Sequence, residues 1–283
     1  MIAQKKDLRA RAMRVIGKLP PLSAGASRFL GALTKRDVET SQLVAIIQRD
    51  PMLAPRVLEL ANSGVFGRAR HIESIPHAVA LLGPTTLRRY GLRWTFGGLF
   101  RGLPDMPRWS TSRFTSHAEA MALLADILCD QLPIGNLADG AFIAGLVHDI
   151  GKFAICTEAS DTLDFLMTMR AMSEESASEV ERAVLGIDHA EISSMAAEKW
   201  RLGDEVCEAI RYHHEPGRDP GSSRINLSFV LSKCDAFVNG LGLEFLSTPA
   251  DASDTLDCPG YSDQVAQTLK VFESALSLNG VAV

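Results

Sequence analysis

The 283-residue sequence predicts an all-α fold of two lobes, on three observations. Apolar residues recur at three- and four-residue spacing along most of the chain, no segment alternates as a half-buried strand must, and Gly and Pro stand mostly where helices end. Residues 1–17 read as a basic amphipathic helix stopped by Gly17 and the Pro20-Pro21 turn. Leu43, Ile46 and Ile47 share one helix face, after which Asp50-Pro51 offers a capping carboxylate and a first-turn proline. Leu53, Val57, Leu58, Leu60 and Ala61 carry a second helix up to Asn62-Ser63-Gly64. A third runs from about Ser74 to Gly83, and Pro84 opens a longer one through Leu87, Tyr90 and Trp94 towards Phe100.

Gly102, Pro104 and Pro107 make residues 101–111 the best linker in the chain. The expected division is therefore a basic segment over 1–17, an N-terminal helical lobe over 18–108 and a second helical lobe over 109–283. Helices are expected in the second lobe at about 112–130, 137–155, 160–171, 174–186, 189–201, 204–214, 225–241 and 261–278, with turn-rich loops at 215–224 and 247–260.

Hydrophobic residues at 46% and charged residues at 22% are ordinary for a globular chain, which excludes wholesale disorder. A net charge of −5 supplies no global basic field for nucleic acid or an anionic membrane. The local basic clusters, Lys5-Lys6 with Arg9, Arg11 and Arg14, and Arg88-Arg89 with Arg93, read as solvated helix faces; nucleic-acid binding would need the second to form a continuous basic face. No apolar run of 18 residues and no signal-like N-terminus are present, so a cytoplasmic location without a membrane partner is expected. The five cysteines are odd in number, scattered and without a Cys-x-x-Cys pair, which suits buried thiols rather than a zinc-thiolate site.

One constellation carries chemistry. In order along the chain stand His117, His148-Asp149, His189, His213-His214 and Asp235, and this set takes five of the seven histidines. Adjacent His148 and Asp149 can ligate one divalent cation together. His117 lies on a helix whose Ala120, Ala122 and Ala125 let a neighbour approach closely. His189 follows a capping Asp188, His213-His214 close a helix, and Asp235 sits within an apolar one, where a charge is costly unless paired or bound to a cation. Imidazole and carboxylate without thiolate suit one divalent cation such as Fe, Mn, Zn or Ni. Taken singly, each histidine is equally a satisfied core or surface side chain, the reading given to His71 and His77. Lys152, three residues after Asp149, is either a contact for an anion such as phosphate or a solvated lysine complementing the helix dipole.

At these residues the chain resembles the HD superfamily of metal-dependent phosphohydrolases, and the ligand order resembles the fuller set of its HD-GYP branch. The first lobe narrows the resemblance. Leu19-Pro20-Pro21-Leu22, Ile47-Gln48-Arg49-Asp50-Pro51, Val57 to Ser63 with Phe66-Gly67, and Ser74-Ile75 through Gly83 are similar to the HDOD family, as are Trp200 and His213-His214-Glu215-Pro216. The likeness covers residues 12–245. It implies a helical regulatory module of bacterial signalling, found alone, behind a receiver domain or beside cyclic-di-GMP domains, for which enzymatic activity is generally not established. Two departures from HD-GYP stand out. No Asp-Gly-x-Gly-Tyr-Pro segment follows Glu215, and Arg113 stands one turn before His117, where a two-metal site offers a carboxylate. Both count against cyclic-di-GMP hydrolysis, and the Arg113 cation also disfavours a second metal, which leaves room for a single-metal site. The leading expectation is a signalling protein acting through protein partners. Its rival is a metal-dependent phosphohydrolase for a nucleotide or phosphoester, with His117, His148, Asp149 and Asp235 on the metal, His189, His213 and His214 on further metal or phosphate, and Lys152 offsetting charge.

Overall fold

The computed structural model describes residues 24–33, 38–63, 71–96, 110–132, 140–158, 160–220, 225–243 and 251–279, together with Ala10 and Arg14. Among them every regular element is helical. They fall into two compact units, one within Pro20–Pro104 with Trp200–Leu202, the other within Met1–Leu19, Asp105–Lys199 and Gly203–Val283. The N-terminal basic segment, apart from Ala10 and Arg14, and the linker expected over 101–111, up to residue 109, lie outside the described residues.

In the first unit α1 (Ala24–Leu33), α2 (Thr40–Gln48), α3 (Leu53–Ala61) and α4 (Ile75–Phe96) surround a core that includes Phe29, Leu43, Ile47, Val57 and Leu87. Leu43 and Ile47, four residues apart, are the face of α2 that goes inside. Complete burial of Val57 contributes roughly 1.5–3 kcal/mol relative to leaving it in water. The Asp50 carboxylate accepts from the amides of Met52 (2.9 Å) and Leu53 (3.0 Å), so it caps α3 as its sequence position suggests. Asn62 then clamps the returning chain, donating to the Ile72 carbonyl (2.8 Å) and accepting from its amide (2.7 Å). At Gly83, φ is 69° and ψ 165°, a break that divides α4 where the Gly83-Pro84 pair predicts two helices. His71 and His77 are exposed, and the Arg88, Arg89 and Arg93 side chains lie outside the described residues.

The second unit is built on α5 (Thr111–Gln131), α6 (Ala141–Val147), α7 (Ile150–Glu158), α8 (Ser160–Met172), α9 (Ala177–Leu185), α10 (His189–Lys199), α11 (Asp204–Tyr212), α12 (Leu227–Val238) and α13 (Ser262–Asn279). The single helix expected over 137–155 is two, one ending at Val147 and the next starting at Ile150, with His148 still in right-handed helical geometry (φ −54°, ψ −32°) at the junction. Helices α6, α12 and α13 pack on α5, and α10 packs on both α7 and α11.

Two close approaches set the positions of α6 and α7. A Cβ on Gly145 would stand 2.8 Å from the Met121 carbonyl oxygen and 3.0 Å from Ala122 Cα, so α6 rests directly on the α5 backbone. Ala120, Ala122 and Ala125 are completely buried there, as their size predicts. A Cβ on Gly151 would meet the His189 carbonyl oxygen at 2.1 Å, and the Gly151 amide donates to Ser193 Oγ at 2.8 Å. These contacts bring His148 beside His117 and Asp149 beside His189. All five cysteines are free and buried, and no helix among the described residues is long and apolar enough to cross a membrane.

Candidate metal centre

All seven residues of the predicted constellation converge within the second unit. His117 comes from the middle of α5, His148 and Asp149 from the break between α6 and α7, and His189 from the first turn of α10. His213 and His214 follow α11, and Asp235 lies on the buried face of α12 with Leu231, Cys234 and Val238. Asp188 caps α10 as expected, accepting from the Glu191 amide at 2.8 Å.

Local hydrogen bonds fix which ring nitrogen faces the centre. His148 Nδ1 donates to the Gly145 carbonyl (2.7 Å), His213 Nδ1 to that of Ile210 (2.6 Å) and His117 Nδ1 to that of Leu243 (3.1 Å). A carbonyl can only accept, so the proton sits on Nδ1 and each neutral ring keeps its Nε2 lone pair free. His189 Nδ1 donates likewise, to the Glu181 carboxylate at 2.6 Å.

The inward atoms form two groups of donors, and within each group they lie within 4.8 Å of one another. In the first, His117 Nε2 lies 3.4 Å from Asp149 Oδ2, 3.4 Å from Asp235 Oδ1 and 3.4 Å from His148 Nε2. His148 Nε2 lies 3.5 and 3.6 Å from the same two oxygens. These separations are longer than good N–H···O bonds. They match the edge of a tetrahedron, about 3.4 Å, whose centre holds a cation at about 2.1 Å from each ligand. The second group is His189, His213 and His214, with His189 Nε2 2.8 Å from His214 Nε2. Asp149 stands between the groups, since its Oδ1 lies 3.3 Å from His189 Nε2.

The donor set fits a cation by its unmet demands as well. Asp149 Oδ1 and His213 Nε2 are buried without a hydrogen-bond partner. Burial opposes ionisation of Asp149 and Asp235. Even so, His117 and the Lys152 ammonium hold both carboxyls well below the carboxylate range. Burial pushes His213 down to about 3 and His189 down to about 4, so both are neutral and able to ligate at neutral pH.

His117 goes the other way. Burial works against its charged form, but the Asp149 and Asp235 carboxylates raise it to about 9. The metal-free protein therefore carries a proton there at neutral pH, and a cation must displace it. Uptake at pH 7.5 is expected to release about one proton per centre, with affinity rising about tenfold per pH unit up to about pH 9. Titration calorimetry in buffers of different ionisation enthalpy checks this; identical heats in all of them would exclude the release.

Lys152 is not a solvated lysine. It is 1% exposed, and its Nζ lies 2.7 Å from Asp149 Oδ2. The Arg113 guanidinium is exposed and donates to the Gly242 carbonyl at 3.3 Å. Two residues of the centre escape sequence reading. Glu181 on α9 and Arg170 on α8 are both buried and pair with each other, and the Glu181 carboxylate also takes the His189 amide at 2.7 Å. The signal was present, because Glu181 falls on the apolar stripe Ala177, Glu181, Leu185 of its helix.

Fold and centre together define an all-helical protein with a buried His/Asp cluster suited to a divalent cation. The HDOD domain family matches residues 19–216. The chain belongs to the HDOD family. An HDOD domain protein of unknown function from Geobacter sulfurreducens is similar in structure, at 23% identity and a TM-score of 0.70 over 96% of this chain and 94% of that one. So is a protein of Marinobacter aquaeolei VT8 provisionally named a signal transduction protein, at 22% and 0.72 over 99% and 66%. A Shewanella amazonensis SB2B protein provisionally named a phosphohydrolase aligns at 21% and 0.64 over 96% and 91%. An uncharacterized protein of Treponema pallidum (strain Nichols) is 27% identical over 218 residues, 76% of this chain and 41% of that protein. The chain thus spans less than half the length of that relative.

Proposed function

We propose that this chain is a signalling module whose His/Asp centre holds a divalent cation of the Fe, Mn, Zn or Ni class and whose output is contact with protein partners. The observation that carries the reading is closure of the centre. His117, His148, His189 and His213 are 0% exposed, Asp149 1% and Asp235 3%, and His214 alone of the seven is partly open. A site so enclosed retains an ion and senses it better than it exchanges substrate and product. The provisional signal-transduction name of the Marinobacter protein agrees with this.

Elemental analysis of protein purified without chelator tests the centre, with about one Fe, Mn or Zn per chain expected. Folded protein devoid of metal, and unable to take any up, would refute it. A screen against nucleotides, cyclic dinucleotides and phosphoesters tests the absence of turnover.

A second reading, a metal-dependent phosphohydrolase, is favoured by the three-histidine group across Asp149 from the first. In that reading His117, His148, Asp149 and Asp235 hold the cation, which when bound would acidify a water. His189, His213 and His214 take a further cation or phosphate oxygens. Lys152 offsets phosphate charge once it leaves Asp149. Metal-dependent turnover above the background of an Asp149→Ala variant would replace the first reading with this one.

A further inference from the structure

We propose that Glu181, braced by Arg170, is a positioning residue that fixes the tautomer and direction of His189 in the centre. The inference rests on reading that centre as a metal site. Glu181 is 0% exposed and its carboxylate is fully engaged by three groups. Oε2 accepts from His189 Nδ1 at 2.6 Å and from the His189 backbone amide at 2.7 Å, while Oε1 pairs with Arg170 Nη2. The double contact to one residue holds the imidazole and its backbone together. Because Nδ1 must donate to a carboxylate, the Nε2 lone pair is directed at Asp149 Oδ1 and His214.

The Arg170 guanidinium is committed to Glu181. It is 2% exposed, and its Nε and Nη1 find no hydrogen-bond partner. Burying an ion pair from α8 and α9 costs desolvation that packing with apolar side chains would avoid. The His189 contact that the carboxylate makes on its far side gives the pair a role. Arg170 takes Oε1 and leaves Oε2 turned towards α10.

The experiment uses the full chain as wild type, as Glu181→Gln and as the double variant Arg170→Met/Glu181→Met, which removes both charges and keeps the volume apolar. Imidazole 15N correlation spectra of the metal-free proteins read the tautomer, with His189 assigned by its loss in His189→Gln. Cobalt(II) titrations followed by visible absorption read the centre. Wild type is expected to show His189 protonated on Nδ1. In the double variant that preference is lost, and cobalt affinity falls about 10- to 100-fold. Glu181→Gln, which keeps an acceptor oxygen but sets an amide against Arg170, falls between the two. A folded double variant with the wild-type tautomer and wild-type cobalt affinity overturns the proposal, and a lowered thermal midpoint without either change marks a structural pair only. Wild-type protein that binds no cobalt removes the metal reading instead, and the tautomer comparison still decides whether Glu181 positions His189.

Discussion

Asp149→Ala is expected to abolish metal uptake and to remove about 3–5 kcal/mol of stability, because it leaves a buried lysine without its counter-charge. Two effects combine in one residue. Asp149 is the carboxylate shared by the two donor groups, with Oδ2 facing His117 and His148 and Oδ1 facing His189. It is also the ion-pair partner of Lys152, whose Nζ at 2.7 Å is 1% exposed and has nowhere to reach water. A second substitution separates the roles. Asp149→Ala/Lys152→Met deletes both charges, so most of the stability returns while the cation stays lost. Chemical denaturation with metal analysis of the two variants checks this, and a stable, metal-binding Asp149→Ala protein would contradict both roles at once.

Much of this centre was legible in the sequence, and the reason is chemical. Histidines and aspartates placed at helix ends or inside apolar helices are conspicuous, since each is costly there without a partner. All seven such residues converge. The fold class and most helix positions were legible for the same kind of reason: Asp50 and Asp188 cap, Gly83-Pro84 divides α4, and the alanines of α5 admit α6. What stayed hidden depends on three-dimensional neighbours. Lys152 has two plausible fates three residues from Asp149, and only the packing of α7 against α10 chooses the buried ion pair. Arg113 carries a cation one turn before His117, yet its guanidinium reaches the Gly242 carbonyl, 129 residues away in the chain. A carbonyl acceptor leaves that positive charge in place, but where the guanidinium goes is invisible in the sequence. Arg170 reads as an ordinary surface charge, and Glu181 betrays its burial only by its place on the apolar stripe of α9. That the two pair across separate helices is a property of the assembled unit.

Gly151→Ala is expected to be the most disruptive one-carbon change in the second unit. The added Cβ would fall 2.1 Å from the His189 carbonyl oxygen, 2.9 Å from its carbonyl carbon and 3.0 Å from its Cα. Every one of these atoms is backbone, so no side chain can swing away and α7 must part from α10. Overpacking of this kind costs about 1–3 kcal/mol, which for a chain of this size lowers the melting midpoint by roughly 2–12 °C. The displaced atoms belong to His189, so under the proposed metal reading the variant is expected to lose affinity at the His189, His213 and His214 group as well as stability. Gly31 supplies the control. It lies within α1 with open space around its hydrogen, and alanine there is expected to stabilise by about 0.5–1 kcal/mol through helix propensity alone. Thermal unfolding and cobalt titration of the two variants therefore move in opposite directions on stability, and only Gly151→Ala changes the metal signal. Wild-type behaviour in Gly151→Ala would mean that α7 and α10 are not in contact at this residue, and with it would go the placement of Asp149 against His189.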